Sequence, residues 1–159
     1  MASECKVHRL IADVAVFARD QVLLVKYKDV TRYDGQRGWF LPDDFLAYAE
    51  HPDVAATRIA MEQAGISLPR VRLDHIESFG DGAWHITFHF RANVSRAAPL
   101  AAGRNVAAAE WFLRSRLPGR ATVAHHGWAL DVIEKMTRST VGSLGINAAR
   151  AAAPRPPPR

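Results

Sequence analysis

The residues best placed to do chemistry lie between Asp43 and Gln63. A helix over Pro52 to Ala64 would put positions 59, 62 and 63 on one face, because they are spaced i, i+3 and i+4. Three carboxylates on such a face would repel one another unless a hard divalent cation, which takes oxygen ligands, lay among them. An ion held there would neutralise a diphosphate and lower the pKa of an attacking water. Here the face reads Ile59, Glu62 and Gln63. That is one aliphatic side chain, one carboxylate and one amide, and an amide oxygen is a poor substitute for carboxylate on Mg²⁺.

Other residues invite chemistry more weakly. His85 and His89 fall on the polar side of one alternating stretch, but four residues of strand separate them by roughly 13 Å, too far to share an ion. A solvated strand face accounts for both. His125 and His126 are adjacent on an expected helix, where side chains diverge by about 100°, and they read as helix-terminal surface residues. Trp39, Tyr33 and Phe45 could stack on a base; the plainer assignment puts Trp39 in the core and Tyr33 on a loop surface. Arg32 and Arg37 could meet phosphates or simply solvate a charged loop. Glu77 and Glu110 read as structural or solvent-facing carboxylates on strands.

The elements that must position these groups follow from periodicity and punctuation. Val7–Ala18 and Val22–Tyr27 are rich in β-branched and apolar residues, with Arg19-Asp20-Gln21 as the turn of a hairpin. Residues 30–38 form a polar loop leading into Trp39-Phe40-Leu41-Pro42. The helix over Pro52–Ala64 has proline in its first turn, Asp53 at the positive end of its dipole, and Gly65 at its C-terminal boundary. Val71–Phe79 is a strand candidate. In Trp84–Phe90 the residues Trp84, Ile86, Phe88 and Phe90 alternate with His85, Thr87 and His89. Glu110–Leu113 gives a last strand. Thr122 could cap a helix with Trp128, Val132, Ile133 and Met136 as its apolar stripe. This order predicts an α/β domain over residues 1–138, with a mixed sheet sandwiched between helices, and a flexible Ala/Pro/Arg-rich tail over 139–159.

Composition narrows the classes. The chain has 159 residues, 48% hydrophobic and 23% charged, with a formal net charge of +5. Three of those positive charges, Arg150, Arg155 and Arg159, lie in the tail, which leaves too little excess for a nucleic-acid surface. Cys5 is the single cysteine, so an intrachain disulfide and a cysteine-based zinc site are both excluded. No apolar run approaches the roughly 20 residues needed to span a bilayer. The polar start lacks the apolar segment of a secretion signal. A cytoplasmic location and no membrane partner are therefore expected; a homodimer is compatible with the sequence but not required by it.

The stretch from Trp39 to Ile66 resembles the Nudix family. That family's box reads Gly, five residues, Glu, seven residues, Arg-Glu, an aliphatic residue, any residue, Glu-Glu, any residue, Gly and an aliphatic residue. Glu50, Arg58, Glu62, Gly65 and Ile66 match it. Asp44 stands at the opening glycine, Ile59 and Gln63 replace two of the three helical glutamates, and Ala60 weakly fills the aliphatic position. The resemblance implies a Nudix fold, with Glu50 and Arg58 as a supporting pair fixing the loop on the helix. Glu62, Glu50 and Arg58 are then the candidate catalytic residues. Glu62, Asp43 and Asp44 are the candidate ligands for Mg²⁺ or Mn²⁺, although each aspartate singly also reads as a turn residue. Two functions follow. One is a metal-dependent hydrolase of a nucleoside diphosphate linked to another moiety, working through a depleted site. The other is an inactive Nudix-fold domain that binds a nucleotide-like small molecule.

Overall fold

The computed structural model describes the backbone of residues 8–81 and 83–151, and side chains within residues 9–80 and 83–139. The expected β-hairpin is present. β1 (His8–Ala18) and β2 (Gln21–Tyr27) run antiparallel and join through Arg19-Asp20, with Arg19 at a φ of 56°. β3 (Asp43–Phe45), α1 (Pro52–Ala64), β4 (Arg72–Asp81), β5 (Ala83–Val94), β6 (Val106–Leu113) and α2 (Ala124–Ala151) follow. The sheet runs β4-β5-β1-β2-β6, and β3 pairs with β1 off this path. Among the described strands only β1 and β5 pair in parallel, from His8 opposite Trp84 to Ala18 opposite Val94.

On its other edge β1 is shared. Its end pairs with β2, whereas Ile11–Asp13 pair with β3. The two hairpin strands therefore diverge. The segment Trp39–Pro42 fills the wedge, through Val25 N–H to the Phe40 carbonyl at 3.0 Å and Val14 N–H to the Pro42 carbonyl at 3.0 Å. The apolar run before the aspartates is thus the strut that holds the site loop.

Alternation on β1 divides the core into two layers. Ala12, Val14 and Val16 face α1 together with Leu23 and Phe90. Ala15 and Phe17 face α2, where Val132, Ile133 and Met136 supply the expected stripe. Within α1, Ala55, Ala56, Ile59, Ala60 and Ala64 are buried. The small residues let the helix lie close to the sheet, and burying Ile59 contributes about 2 kcal/mol.

Two helix ends depart from simple capping. At the end of α1, Gly65 adopts the left-handed conformation, and the loop after β5 covers the carbonyls the helix leaves unpaired. Ala101 N–H reaches the Ala64 carbonyl at 2.9 Å and Gly103 N–H the Gln63 carbonyl at 3.1 Å. Thr122 does not cap α2: its hydroxyl donates to the Gly119 carbonyl. His125, His126 and Gly127 form a left-handed turn with φ of 50°, 57° and 91°, after which the regular helix begins. Arg120 holds that turn by donating to the His126 carbonyl and pairing with Asp131. The backbone of α2 runs to Ala151, into the stretch that composition assigns to the tail; residues 152–159 lie outside the described ones. Among the described residues no helix is long and apolar enough to cross a membrane.

A β-carbon at Gly103 would sit 1.9 Å from the Glu62 carbonyl oxygen, so this crossing tolerates no side chain. Gly103→Ala is expected to lower stability by about 2 kcal/mol or more, read as a lower urea midpoint. An unchanged midpoint would mean the loop does not lie on α1.

Candidate functional site

A cavity of about 380 Å³ opens over the β3–β1–β5–β4 side of the sheet. Arg9 and Ile11 on β1 and Asp43, Asp44 and Phe45 on β3 form one wall. Glu77, Phe79, His85 and Thr87 form the opposite wall, and Arg32, Tyr33, His125 and Trp128 complete the rim. The guanidiniums of Arg9 and Arg32 lie 5.9 and 5.5 Å from the Phe45 ring centre, within cation–π range. Arg32 also donates to Asp44 Oδ1 at 2.7 Å. Tyr33 is not a loop-surface residue: it is buried and stacks on Tyr27 with ring centres 3.9 Å apart. Trp39 is in the core.

Beside the cavity, Arg58 ties the loop to α1. Its Nε and Nη2 donate to the two Glu50 oxygens at 2.7 and 2.9 Å, a bidentate pair. Nη2 also reaches the Phe45 carbonyl at 3.1 Å. Nη1 donates to Glu62 at 3.0 Å and lies 3.8 Å from Asp44. Glu50 accepts the Ala47 N–H as well. The Arg58 hydrogen bonds hold its carboxyl below the usual glutamate range. One guanidinium therefore faces all three carboxylates of this corner.

The helix face does not have the expected shape. Ile59 is wholly buried among the alanines against the sheet. Gln63 is buried with both ends of its amide engaged: Nε2 donates to the Asp43 carbonyl at 2.7 Å, and Oε1 accepts from the Tyr27 hydroxyl at 2.8 Å. Glu62 points outward, 58% exposed, and lies outside the cavity lining. Positions 59 and 63 face inward and 62 faces solvent because the helix turns its alanine side to the sheet. Asp43 is buried, and burial followed by the charge of Asp13 pushes its carboxyl well above the ordinary range. This donor set does not fit the family's three-carboxylate metal face.

The histidines depart furthest from expectation. His85 and His89 are buried rather than solvated, and it is Trp84 that is exposed. Both faces of β5 are covered, Phe90 by α1 and the histidine side by Trp128 at the start of α2. Register then assembles a row across three strands, since His89 lies beside Asp13 on β1 and beside His75 on β4. His89 Nδ1 meets Asp13 Oδ2 at 2.7 Å, and His75 Nδ1 meets Asp74 Oδ2 at 2.7 Å. The two rings stack with centres 4.4 Å apart. Glu77, two residues beyond His75 on the same side of β4, accepts the Trp128 indole N–H at 3.2 Å. Burial raises Asp13. Burial opposes a charge on His89, but the bond and charge of Asp13 outweigh it and its pKa is raised. His75, Asp13 and Asp74 had no sequence motif to mark them; only the strand register brings them together. Glu110 is exposed on β6, away from the cavity.

A mixed sheet between two helices, with a loop clamped to the first helix by arginine beside a cleft, defines a Nudix-type sandwich. The sequence model of the NUDIX domain matches residues 7–132, and the chain belongs to the Nudix family. Solved structures agree on the fold. A MutT Nudix hydrolase from Burkholderia pseudomallei superposes with a TM-score of 0.67 at 21% identity, over 80% of this chain and 97% of that one. The Nudix domain of Shewanella oneidensis NrtR, complexed with ADP ribose, gives 0.65 at 16% identity, over 82% and 88%. A Francisella tularensis bifunctional NMN adenylyltransferase/ADP ribose pyrophosphatase, complexed with AMP and manganese, gives 0.64 at 18% identity, over 82% of this chain and 42% of that one. No curated protein matches the chain by sequence.

Removing the clamp tests its weight. Arg58→Ala leaves Glu50 partly buried without its partner and is expected to cost about 2 kcal/mol at neutral pH. Because Glu50 is lowered in the folded state, the stabilisation is present above the ordinary glutamate pKa of about 4. It disappears as pH falls through the folded-state value. Urea unfolding at a series of pH values should show parent and variant converging in acid; a difference that does not shrink there would assign the loss to packing alone.

Proposed function

We propose that this domain binds a nucleoside diphosphate-linked small molecule in the cavity without a divalent cluster on α1. The observation that carries the reading is the helix face itself, whose one carboxylate, Glu62, is already paired with Arg58 at 3.0 Å. With Ile59 in the core and Gln63 bonded at both ends, α1 offers Glu62 alone. Meanwhile the cavity combines aromatic faces, Phe45, Phe79 and Trp128, with the guanidiniums of Arg9 and Arg32. That mixture suits a base and a diphosphate. The ADP ribose bound by a Nudix domain of the same fold supports the ligand class.

The second reading, a hydrolase using Mg²⁺ or Mn²⁺, rests on family membership and on Asp43, Asp44 and Glu77 at the cavity wall. Calorimetric titration separates the two. ADP-ribose or a related dinucleotide should bind in the presence of EDTA, and Arg32→Ala or Phe45→Ala should each weaken binding about tenfold, or 1.4 kcal/mol. Turnover that requires Mg²⁺ and is lost in Glu62→Gln would replace the binding reading with the hydrolase.

Restoring the family's glutamates offers an independent check. Ile59→Glu with Gln63→Glu would put a carboxylate into the alanine layer, and about 3 kcal/mol of stability should be lost. Mg²⁺ should not recover it. Recovery of melting temperature by the ion would show that the helix face can still open to a metal.

A further inference from the structure

We propose that His75, Glu77 and His89 form a centre for a transition-metal ion of the zinc class, built into β4 and β5 and separate from the Nudix helix. One ligand atom from each residue falls within 4.8 Å of the others. Zinc takes nitrogen and oxygen ligands at about 2.0–2.2 Å, so tetrahedral donors stand about 3.4 Å apart. His89 Nε2 already lies 3.3 Å from one Glu77 oxygen and His75 Nε2 lies 3.7 Å from the other. Closing the set needs movement of about 1.5 Å at most, and Glu77, 35% exposed, has room for it.

Three further features separate this group from a chance cluster. First, both Nε2 atoms are buried with no well-formed hydrogen bond, the Glu77 oxygens at 3.3 and 3.7 Å facing them, and the His89 side chain is completely buried. A buried ring nitrogen with so poorly placed a partner is costly, and an ion bound between them and Glu77 would serve both nitrogens. Secondly, each ring is turned to present Nε2 by a carboxylate on its other nitrogen, Asp13 for His89 and Asp74 for His75, both at 2.7 Å. A carboxylate behind a ligating histidine fixes its tautomer and orientation and raises its basicity. Thirdly, the Trp128 indole steadies Glu77, which with Trp128 also lines the cavity. The ion is therefore reached from the cavity, and its remaining positions take water or an oxyanion from that side. The donor set, two imidazoles and one carboxylate, favours zinc-class ions over magnesium. The proposal stands whether or not the cavity binds nucleotides.

The test uses the full chain, stripped with EDTA and dialysed. Titration with Zn²⁺ against a chromophoric chelator should give one equivalent of tight binding, unaffected by millimolar Mg²⁺. Co²⁺ should develop the intense visible bands of a low-coordinate nitrogen–oxygen site. Glu77→Gln, at a partly exposed position that should fold, is expected to weaken Zn²⁺ binding at least tenfold. Asp74→Asn should weaken it 10–100-fold by loosening His75, and His75→Gln should remove it. Far-ultraviolet circular dichroism of each variant establishes that it is folded. Absence of stoichiometric Zn²⁺ binding overturns the proposal and leaves a metal-free imidazole–carboxylate row. Binding undiminished in both folded Glu77→Gln and His75→Gln overturns it too, because the ion then sits elsewhere.

Discussion

Parallel pairing of β1 with β5 is the constraint on which the rest of the molecule depends. These strands lie far apart in sequence and meet along the whole length of β1, from His8 to Ala18. That register fixes which β5 residues share a side with Asp13 and which share a side with Val14. A slip of one residue would turn every side chain of β5 to the opposite face, putting His89 into the alanine layer and Phe90 against Asp13. The Asp13–His89 bond at 2.7 Å, wholly buried, penalises such a slip, because a polar group separated from its partner in the interior carries its full desolvation cost. The same bond that orients His89 thus helps to specify the sheet.

The second organising feature is the split edge of β1. Because β2 pairs only with its end, the segment 39–42 can enter the sheet and place Asp43–Phe45 beside Ile11–Asp13. From there the chain must return to start α1, and Arg58 closes that return by binding Glu50, the Phe45 carbonyl and Glu62 together. A planar guanidinium can satisfy several acceptors at once, which a lysine could not do in the same geometry. The loop, the helix start and one wall of the cavity are in this way one rigid unit.

Much of this was legible in the sequence, for identifiable reasons. The hairpin and the extent of α1 follow from local signals, alternation and the placing of Pro52 and Gly65, whereas the pairing of Glu50 with Arg58 follows from the resemblance to the Nudix box. The β5 alternation was legible too, but not which side is buried. Apolarity marks the inner face only when the other face meets water, and β5 is covered on both sides. His85 and His89 accordingly read as solvated when they are interior. The row of Asp13, His89 and His75 depends on cross-strand register, which no spacing along the chain encodes. The left-handed turn at His125–Gly127 was missed because non-glycine residues seldom adopt positive φ, and here Arg120 and Asp131 hold the conformation from outside the local sequence. Tyr33 reads as loop surface because the polar composition of its loop hides its stacking on Tyr27, at the end of the strand just before it, and its contact with Phe40.

The distribution of polar groups in the interior divides the protein into a half optimised for packing and a half that is not. On the α1 side the sheet meets alanine, valine, leucine and isoleucine, and the substitutions at 59 and 63 make that layer more uniform: an isoleucine fills it and an amide seals its edge. At the cavity end of the α2 side, Asp13, Asp43, His85, Thr87 and His89 are all buried. Each gives up hydration that an apolar side chain would not need, and the Nε2 atoms of His75 and His89 and one Asp13 oxygen lack a well-formed hydrogen bond. A fold selected for stability alone would have filled these positions as it filled 12, 14 and 16. Buried ionisable groups, which α1 lacks, are thus concentrated on the strands, where a local departure from good packing is the mark expected of a functional site.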